Sequence, residues 1–559
     1  ISKEFSSDDI NFFKTNYFLD EIIAKLLSIK KIKKEDVKFY LEPTIKNILP
    51  NPFILKDMDI AIDRTIVAIT KSEKIGIFGD YDVDGATSVA ILAQYFRLLK
   101  TSFEVHIPDR KTEGFGPNEK AFSEFIKKGV NLIFTVDCGT LSFEPMNFAK
   151  SKNIDVVILD HHQSEIKLPN AHSIVNPNRF DDRSELNYLC AAGVCFLFLI
   201  ALNKRLRDKD WFKLNSINEP DLINMLDLVS LGTVCDVVPL IGLNRAIVKQ
   251  GLKVLKKKKN LGLKTLIELN NIENNITTYH LGYVLGPRIN AGGRVGKSSH
   301  GANLLLSNNA QETFKLASEL NNYNKDRQIL ETDLLNKILN TNHQNNSDPV
   351  IILYGENWHE GIIGIIAARV KEKFNKPTII ISAGSVVGKG SARSIYGFDI
   401  GSAIIGAVQS GLLIKGGGHK MAAGFTINLQ KIKEFKEFIF RKFNSINMNL
   451  EDKKKYYYDV EIAPSAVNIE FFEKINLLAP FGSGNLEPRF LIRGLNVVNS
   501  KIVGEKHVKS VLVGSDSSSI KTISFNTVNT DLSTYLLKKN RKNFNIVGKL
   551  SLNEWRGQK

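Results

Sequence analysis

Cysteine is scarce in this sequence, with four residues in a chain of 559. Cys138, Cys190, Cys195 and Cys235 form no CxxC pair and all lie in one third of the chain. This spacing argues against a zinc finger or a disulfide framework, because both depend on cysteines at short, paired intervals. A reduced protein of the cytoplasm is the simplest interpretation.

Long hydrophobic runs and a secretory leader are also missing. The longest apolar run, Ala191 to Leu202, is too short to span a bilayer, and the first 30 residues are mixed and charged. We therefore expect no membrane association. The sequence begins at Ile1 without a Met, so we expect the natural start to lie upstream. A composition of 43% hydrophobic and 24% charged residues is typical of a globular protein, here with roughly three or four domains.

Acidic residues are outnumbered by basic ones, which gives a net charge of +16 and a pI of about 9.3. A basic protein favours a polyanionic partner, because neutralisation of phosphates drives affinity for nucleic acids. The sequence is also rich in Lys, Asn and Ile, and the base composition of a genome can produce the same bias. The charge alone therefore leaves both explanations open.

Hydrophobic periodicity divides the chain into segments. Short apolar runs at 74–78, 131–136 and 155–159 alternate with helical patterns, which predicts a mostly parallel sheet covered on both faces. A long helical pattern ends at a polar tract, 340–349, and short alternating strands follow Tyr456. The sequence thus predicts an α/β multidomain protein that consists of an N-terminal helical segment (1–50), a first α/β domain (51–305), a connecting helix and linker (306–348), a second α/β domain (349–452) and a terminal β-barrel (453–559).

Carboxylates and imidazoles follow each predicted strand of the first α/β domain. Because the carboxyl ends of parallel strands meet at one edge of a sheet, we expect these side chains to lie close together. A further Asp follows a later apolar stretch. The residues of this group are Asp80, Asp82, Asp84, Asp137, Asp160, His161, His162 and Asp236.

Crowded carboxylates favour a bound cation, because each negative charge raises the pKa of its neighbours. Asp oxygens suit Mg²⁺ or Mn²⁺, and an added His shifts the preference toward Mn²⁺. Two such ions about 3.5–4 Å apart can hold the attacking and leaving oxygens of a phosphoryl displacement. Any one of these Asp residues is more simply a helix cap or turn residue, but three strand-end motifs in succession favour a site for two divalent cations.

These motifs together resemble the DHH phosphoesterase superfamily and, within it, the bacterial single-strand-specific exonucleases. The first α/β domain resembles the DHH domain, the second resembles the DHHA1 module, and the barrel resembles an oligonucleotide-binding (OB) fold. The matching runs are GDYDVDGATS (79–88), IPDR (107–110), EGFG (113–116), TVDCGT (135–140), LDHH (159–162), LCAAGV (189–194), GTVCDVVPL (232–240), GPRINAGGR (286–294), WHEGIIGIIAARV (358–370), GKGSARS (388–394), GGGHKMAAG (416–424) and PFGSGNLEP (480–488).

The resemblance implies metal ligands and catalytic residues. Asp137 is expected to bridge two ions, and Asp160 to orient His161. His162 and Arg288 are expected to lie near the reacting phosphate. The implied ligands are Asp80 and Asp82 at the first ion and Asp84, His161 and Asp236 at the second. Related pyrophosphatases carry a His where this sequence has Phe78, so we expect the first ion to have a different ligand set, in which Asp80 compensates.

Substrate-binding residues are implied in both α/β domains. Arg110, Ser391 and Arg393 are candidates for the 5′-terminal phosphate, since guanidinium groups match phosphate oxygens in bidentate geometry. Successive glycines let backbone N–H groups approach a phosphate closely. A loop containing Gly417, Gly418 and His419 is therefore a candidate for binding the strand, with a plain flexible turn as the alternative.

The terminal barrel is expected to add a basic groove and stacking surfaces for single strands. The run 453–458 combines three lysines with three tyrosines, although a solvated linker explains it equally well. The chain stops at 554–559, where a further strand is expected, so we expect the barrel to continue beyond Lys559.

The resemblance implies a metal-dependent exonuclease that degrades single-stranded DNA 5′→3′ to 5′-mononucleotides by a two-metal mechanism, in DNA repair and recombination. The implied cofactors are two divalent cations, Mn²⁺ or Mg²⁺. Single-strand binding protein and a RecQ-type helicase are implied partners of a monomer. Two alternatives remain. A phosphodiesterase for short or cyclic oligonucleotides would not need residues 456–559, and a non-catalytic DNA-binding scaffold would not need a full set of metal ligands.

Overall fold

The computed structural model describes residues 1–110, 112–272, 275–340, 348–446, 456–538 and 542–553. Most of the predicted polar tract, the three lysines at 453–455 and the final run 554–559 lie outside these residues. The chain begins with four helices: α1 (Ser7–Tyr17), α2 (Glu21–Ile29), α3 (Val37–Leu41) and α4 (Ile45–Ile48).

A five-stranded parallel sheet follows, as predicted. Its strands are β1 (Lys74–Gly79), β2 (Phe103–His106), β3 (Val130–Val136), β4 (Asp155–Leu159) and β5 (Ser173–Val175), in the order β2-β1-β3-β4-β5. The strands are apolar and largely buried because helices cover them. The first covering helices are α5 (Met58–Thr70), α6 (Val83–Leu98), α7 (Glu119–Lys127) and α8 (Phe143–Ser151).

A helical region separates this sheet from the next. It contains α9 (Ala191–Asp208), α10 (Trp211–Leu214), α11 (Leu226–Cys235), α12 (Gly242–Leu255), α13 (Leu261–Leu269), α14 (Gly286–Val295), α15 (His300–Leu306) and α16 (Ala310–Asn340). A π-helical turn, His280–Leu285, runs directly into α14. The 31-residue α16 is the predicted connecting helix.

The second sheet is mixed. Its strands are β6 (Ile351–Glu356), β7 (Thr378–Ala383), β8 (Val387–Arg393), β9 (Lys415–His419) and β10 (Ala422–Asn428), in the order β6-β7-β8-β10-β9. Only β6 and β7 pair in parallel among the described strands of this sheet. Its helices are α17 (Ile363–Phe374), α18 (Ile400–Gln409) and α19 (Ile432–Asn444).

The terminal region is rich in β-structure, as predicted. It contains β11 (Val460–Glu461), β12 (Phe490–Val503), β13 (His507–Val513), β14 (Ser519–Ser524) and β15 (Phe544–Gly548), with α20 (Ile469–Asn476) and α21 (Asp531–Leu537). The strand order is β11-β12-β13-β14, with β15 also on β12. No helix in the described part of the chain combines the length and apolarity that a bilayer crossing requires.

The chain forms two compact units, and each is built from stretches that are not contiguous in the sequence. One comprises 1–51, 237–253 and 453–559, and the other 52–236 and 254–452. In the first unit, Phe13 and Leu26 of the N-terminal helices share one apolar core with Phe490 and Leu512 of the barrel strands. We predicted residues 1–50 as a segment of their own, and the apolar pattern of those helices gave no sign of which surface they cover.

Candidate metal centre

The carboxyl end of β1 leads into a tight acidic loop. Asp82 caps α6, since its side chain accepts a hydrogen bond from the backbone N–H of Gly85 at 3.0 Å. A Cβ atom on Gly85 would lie 2.4 Å from the carbonyl oxygen of Asp80, so this close approach requires glycine. The loop therefore holds Asp80, Asp82 and Asp84 together at the sheet edge.

The structure brings eight predicted site residues to this edge, and seven of them form three overlapping groups with potential ligand atoms within 4.8 Å of one another. Asp137, which follows β3, belongs to two of the groups. It adopts a left-handed backbone conformation, with φ of 60°. The groups are Asp80, Asp82 and Asp137; Asp84, His161 and Asp236; and Asp137, His161 and His162.

His161 lies at the centre of the site. Its Nε2 atom is 3.3 Å from Asp137 Oδ1, 3.6 Å from Asp236 Oδ2 and 3.8 Å from Asp84 Oδ2. This nitrogen is buried without a hydrogen-bond partner in the described residues, as is Oδ1 of Asp80. Buried polar atoms without partners are costly. Together with the surrounding oxygens, they form a donor set that fits a hard divalent cation.

Burial and mutual repulsion make the carboxylates hard to ionise on their own. Burial first, and then the neighbouring Asp82, raise the pKa of Asp80 and of Asp137 well above the ordinary value. Burial, followed by the charges of Asp84 and Asp82, raises the pKa of Asp236 to about 8. A divalent cation would offset this repulsion and keep the carboxylates charged.

Asp160 orients a different ring from the one we expected. Its Oδ1 atom lies 2.7 Å from Nδ1 of His162, whereas His161 gives it only a backbone hydrogen bond, also 2.7 Å long. The loop after β4 turns the His161 ring toward Asp137 and leaves the His162 ring beside the carboxylate. Burial raises the pKa of Asp160, but its hydrogen bonds and the charge of His162 outweigh this and lower it. Burial lowers the pKa of His162, but the contact with Asp160 outweighs this and raises it to about 9.

A polar layer behind the histidines was missed in the sequence. The Asn176 side chain donates to the carbonyl oxygen of His162 and to the Thr140 hydroxyl, both at 2.8 Å, and Asn178 donates to the carbonyl oxygen of His161. Asn176 directly follows β5 and Asn178 lies two residues further on, so the rule that located the acidic residues at strand ends would have found them had β5 been predicted.

Phe78 is a core residue rather than part of the site. It is fully buried on β1, and its ring stacks on that of His106 with centroids 5.4 Å apart. Asp80 lies in the group with Asp82 and Asp137, and its expected compensation for the missing His stays a prediction.

A second cluster is cationic and contains Arg294, which we had not assigned to the site. Arg294 donates to the carbonyl oxygen of Gly361 at 3.2 Å, and Arg110 lies 3.5 Å from the carbonyl oxygen of Gly293. Burial first, and then the charges of Arg110, Arg327 and Arg393, lower the pKa of Arg294 to about 10. Such a concentration of positive charge fits an anion.

Ser391 and Arg393 belong to the same region. The Arg393 guanidinium donates to the Ser391 hydroxyl at 3.1 Å, and both side chains face Gly364 in the first turn of α17. A cavity of about 240 Å³ here is lined by Arg294, Gly364, Ile365, Ala368, Arg369, Glu372 and Arg393. A helix N-terminus beside arginines is suited to bind a phosphate.

The segment Gly416–His419 belongs to an edge strand, not to the loop we expected. It pairs with β10 on one side because Lys415–His419 and Ala422–Asn428 form a hairpin, whose turn is at Lys420 and Met421. Directly paired residues of antiparallel strands project to the same face, so Ser391 and Arg393 share a face with three small residues and His419. The two rows across β8, β10 and β9 are Ser391, Gly424 and Gly417, and Arg393, Ala422 and His419.

Arg288 is held on α14 by α16 and by the preceding turn. It donates to the Asn321 side chain at 3.0 Å and to the carbonyl oxygen of Val284 at 2.7 Å. These contacts anchor α14 to α16, and the expected proximity of Arg288 to the reacting phosphate stays a prediction.

Comparison with known domain families agrees with this architecture. The chain matches the DHH family N-terminal domain over residues 74–233, the DHHA1 domain over 347–445 and the RecJ OB domain over 458–559.

Several curated proteins named single-stranded-DNA-specific exonuclease RecJ are similar to this chain. The protein from Salmonella typhimurium is 34% identical over 484 residues, which cover 84% of this chain and 83% of the relative. The Escherichia coli protein is 33% identical, with coverage of 93% and 91%. The Bacillus subtilis protein is 32% identical, and there the chain spans only 63% of the relative's length.

Solved structures give the same result. RecJ from Thermus thermophilus in complex with Mn²⁺ matches all of this chain with a TM-score of 0.82 and 26% identity, over 77% of that structure. An exonuclease RecJ bound to manganese matches with a TM-score of 0.60 and 30% identity, over 72% of this chain and 99% of that structure. The comparisons confirm the resemblance seen in the motifs, and the chain belongs to the RecJ family of DHH proteins.

Proposed function

We propose that this chain is a metal-dependent exonuclease that removes 5′-mononucleotides from single-stranded DNA in the 5′→3′ direction. The observation that carries the proposal is the set of three overlapping ligand groups at the sheet edge. The names of the RecJ relatives support the substrate and the reaction class.

Two divalent cations, Mn²⁺ or Mg²⁺, fit the donor set. Asp80, Asp82 and Asp137 would hold one ion, and Asp84, His161 and Asp236 would hold the other, with Asp137 shared. Such ions polarise phosphoryl oxygens and lower the pKa of a coordinated water, so no protein nucleophile is needed. The solved RecJ structures with Mn²⁺ and Mg²⁺ support this choice.

His162 is suited to stabilise charge on the reacting phosphate. Its side chain is 46% exposed, while Asp160 holds Nδ1 at 2.7 Å. Against the effect of burial, the hydrogen bond to Asp160 and the charge of that carboxylate raise the pKa of His162. With Nδ1 held by Asp160, Nε2 is the ring nitrogen that would face a phosphoryl oxygen, where a protonated ring would stabilise developing negative charge.

The cationic cluster would hold the 5′-terminal phosphate. Arg110, Arg393 and Ser391 were expected there, and Arg294 joins them because it lines the same cavity as Arg393. The face of small residues across β8, β10 and β9 would let the DNA backbone lie close to the sheet. Fixing the terminal phosphate at a set position beside the metal centre would limit each cut to the end of the strand.

The alternatives predict different substrates. A small-substrate phosphodiesterase would prefer a cyclic dinucleotide, and a scaffold would cleave nothing. Incubating a 5′-labelled single strand, the matching duplex and a cyclic dinucleotide side by side with Mn²⁺ separates the three. We expect rapid release of labelled mononucleotide from the single strand alone; preference for the cyclic dinucleotide would overturn the proposal.

The biological setting is proposed on the family relationship. Roles in DNA repair and recombination, a cytoplasmic location, a monomeric state and partnership with single-strand binding protein and a RecQ-type helicase remain predictions.

A further inference from the structure

Two tyrosines form a pre-stacked aromatic pair on the surface of the unit that holds the metal centre. Tyr279 and Tyr283 have ring centroids 5.2 Å apart and planes inclined by 24°, and they are 61% and 73% exposed. Exposed apolar side chains that cluster, rather than occur singly, often mark a binding surface. The stack presents a preformed flat face to any planar ligand.

The backbone beneath this pair is unusual. Tyr283 lies in the π-helical turn His280–Leu285, between Leu281 and Leu285, which are fully buried. A π-turn costs stability relative to an α-helix and is often found at functional sites. Here the wider turn coexists with outward-facing tyrosine rings, while Leu281 and Leu285 remain in the core.

The π-turn packs directly on the end of α11, next to a predicted metal ligand. The thiol of Cys235 lies 3.4 Å from the carbonyl oxygen of Leu281, and a Cβ on Gly286 would lie 2.4 Å from the Cys235 sulfur. Cys235 immediately precedes Asp236 in the chain. The tyrosine pair is thus fixed to the segment that carries one ligand of the metal centre.

The same turn runs directly into α14, and α14 ends at Arg294 and Val295, so it carries one arginine of the cationic cluster described above. Arg288 of α14 donates to the carbonyl oxygen of Val284, the residue after Tyr283, which ties the turn to this helix. A nucleotide of single-stranded DNA presents a phosphate and a flat base side by side, and bases stack on aromatic rings irrespective of sequence. The pair therefore offers the base contact that the arginines and carboxylates lack.

We infer that Tyr279 and Tyr283 form a stacking platform for one nucleobase of the single strand held at the metal centre. This inference rests on the proposed function. A platform of this kind is sequence-tolerant, and it needs an unpaired base, so it adds to selectivity against duplex DNA.

Stacking can be observed with 2-aminopurine, whose fluorescence falls when it stacks on a ring. In an Asp137→Asn background, which we expect to bind without cutting, the probe is placed at successive positions from the 5′ end of a single strand. We expect quenching at one register. The Tyr279→Ala/Tyr283→Ala variant should lose that quenching and bind about tenfold more weakly. The Tyr279→Phe/Tyr283→Phe variant should retain both.

Tyr354→Ala is the matched control, because Tyr354 is an exposed tyrosine on β6 of the second sheet. Equal quenching and affinity in the double-Ala variant and its parent would overturn the platform alone. Failure of the wild-type protein to cleave single strands, together with failure of the parent to bind them, would instead overturn the proposed function.

Discussion

Asp80 is a buried carboxylate whose negative charge is unfavourable unless a cation is bound. Its side chain is buried, Oδ1 lacks a hydrogen-bond partner in the described residues, and burial together with the nearby Asp82 raises its pKa. In the absence of a cation this residue should destabilise the fold, whereas with a cation it should contribute to binding. The two effects have opposite signs and can be separated by one substitution.

Asp80→Asn should therefore raise the melting temperature of the metal-free protein and reduce the further rise that Mn²⁺ produces, because ligands that bind the native state stabilise it. Thermal unfolding with EDTA and with Mn²⁺ measures both. Asp63→Asn, at an exposed position of α5, should change neither. A metal-free melting temperature that falls for Asp80→Asn would contradict this account of the site.

Arg393 tests the site proposed for the 5′ phosphate. Arg393→Ala should raise KM for a 5′-phosphorylated single strand by roughly 10- to 100-fold, since a charge-assisted hydrogen bond contributes about 1.5–3 kcal/mol. The effect on a 5′-hydroxyl strand should be much smaller. Arg441→Ala, at an exposed position on α19, is the control. Equal losses on both substrates would mean that Arg393 does not recognise the terminal phosphate.

Asp227, outside the metal centre, should make the stability of the fold depend on pH. Burial raises its pKa to about 6, so the folded state holds a proton that the unfolded state releases near pH 4. The folded protein therefore loses stability as the pH rises from about 4 to 6, by roughly 2–3 kcal/mol. Asn keeps an oxygen to accept the Leu228 N–H, a bond of 2.8 Å in the wild type. In urea unfolding, the free energy of unfolding of Asp227→Asn should equal that of the wild type at pH 4 and exceed it at pH 7. The same difference in free energy at both pH values would refute this assignment.

At the scale of elements, strand ends could be predicted and side-chain directions could not. The apolar pattern located β1, β3 and β4, and parallel topology then required Asp137 and the Asp160–His162 triplet to share an edge. Which ring Asp160 would meet depends on the loop after β4, where no periodicity guides the backbone. The Gly416–His419 strand was missed for a related reason, since glycines disfavour strands and hide their pairing with β10.

The packing of α1 shows an element whose partner only the structure reveals. Phe13 is fully buried in a core formed with barrel strands, so Phe13→Ala should destabilise that unit by about 3–5 kcal/mol. Hydrogen exchange should then accelerate in β12 and β13. Phe18→Ala, five residues along the chain and 92% exposed, should leave exchange nearly unchanged. Faster exchange confined to the N-terminal helices would contradict the shared core.

At the scale of the whole molecule, order along the chain was predictable and assembly was not. Local patterns indicated a parallel sheet, a long helix, a second sheet and a β-rich end, because each depends on short-range periodicity. The assembly of 1–51, 237–253 and 453–559 into one unit depends on contacts between residues hundreds of positions apart. Arg294 was missed as a site residue for the same reason: its contact with Gly361 joins two α/β regions that the sequence keeps apart.

The central claim is that the carboxylates and histidines around Asp137 form the site at which the protein, with divalent cations, degrades single-stranded DNA from its 5′ end. The most direct test is digestion of one single strand carrying different labels at its two ends, by wild-type protein and by Asp137→Asn, with Mn²⁺ or with EDTA. We predict that the wild-type protein with Mn²⁺ releases the 5′ label as a mononucleotide while the 3′-labelled strand shortens progressively, and that Asp137→Asn and EDTA abolish both. Release of the 3′ label first, internal cleavage, or full activity of Asp137→Asn would contradict the claim.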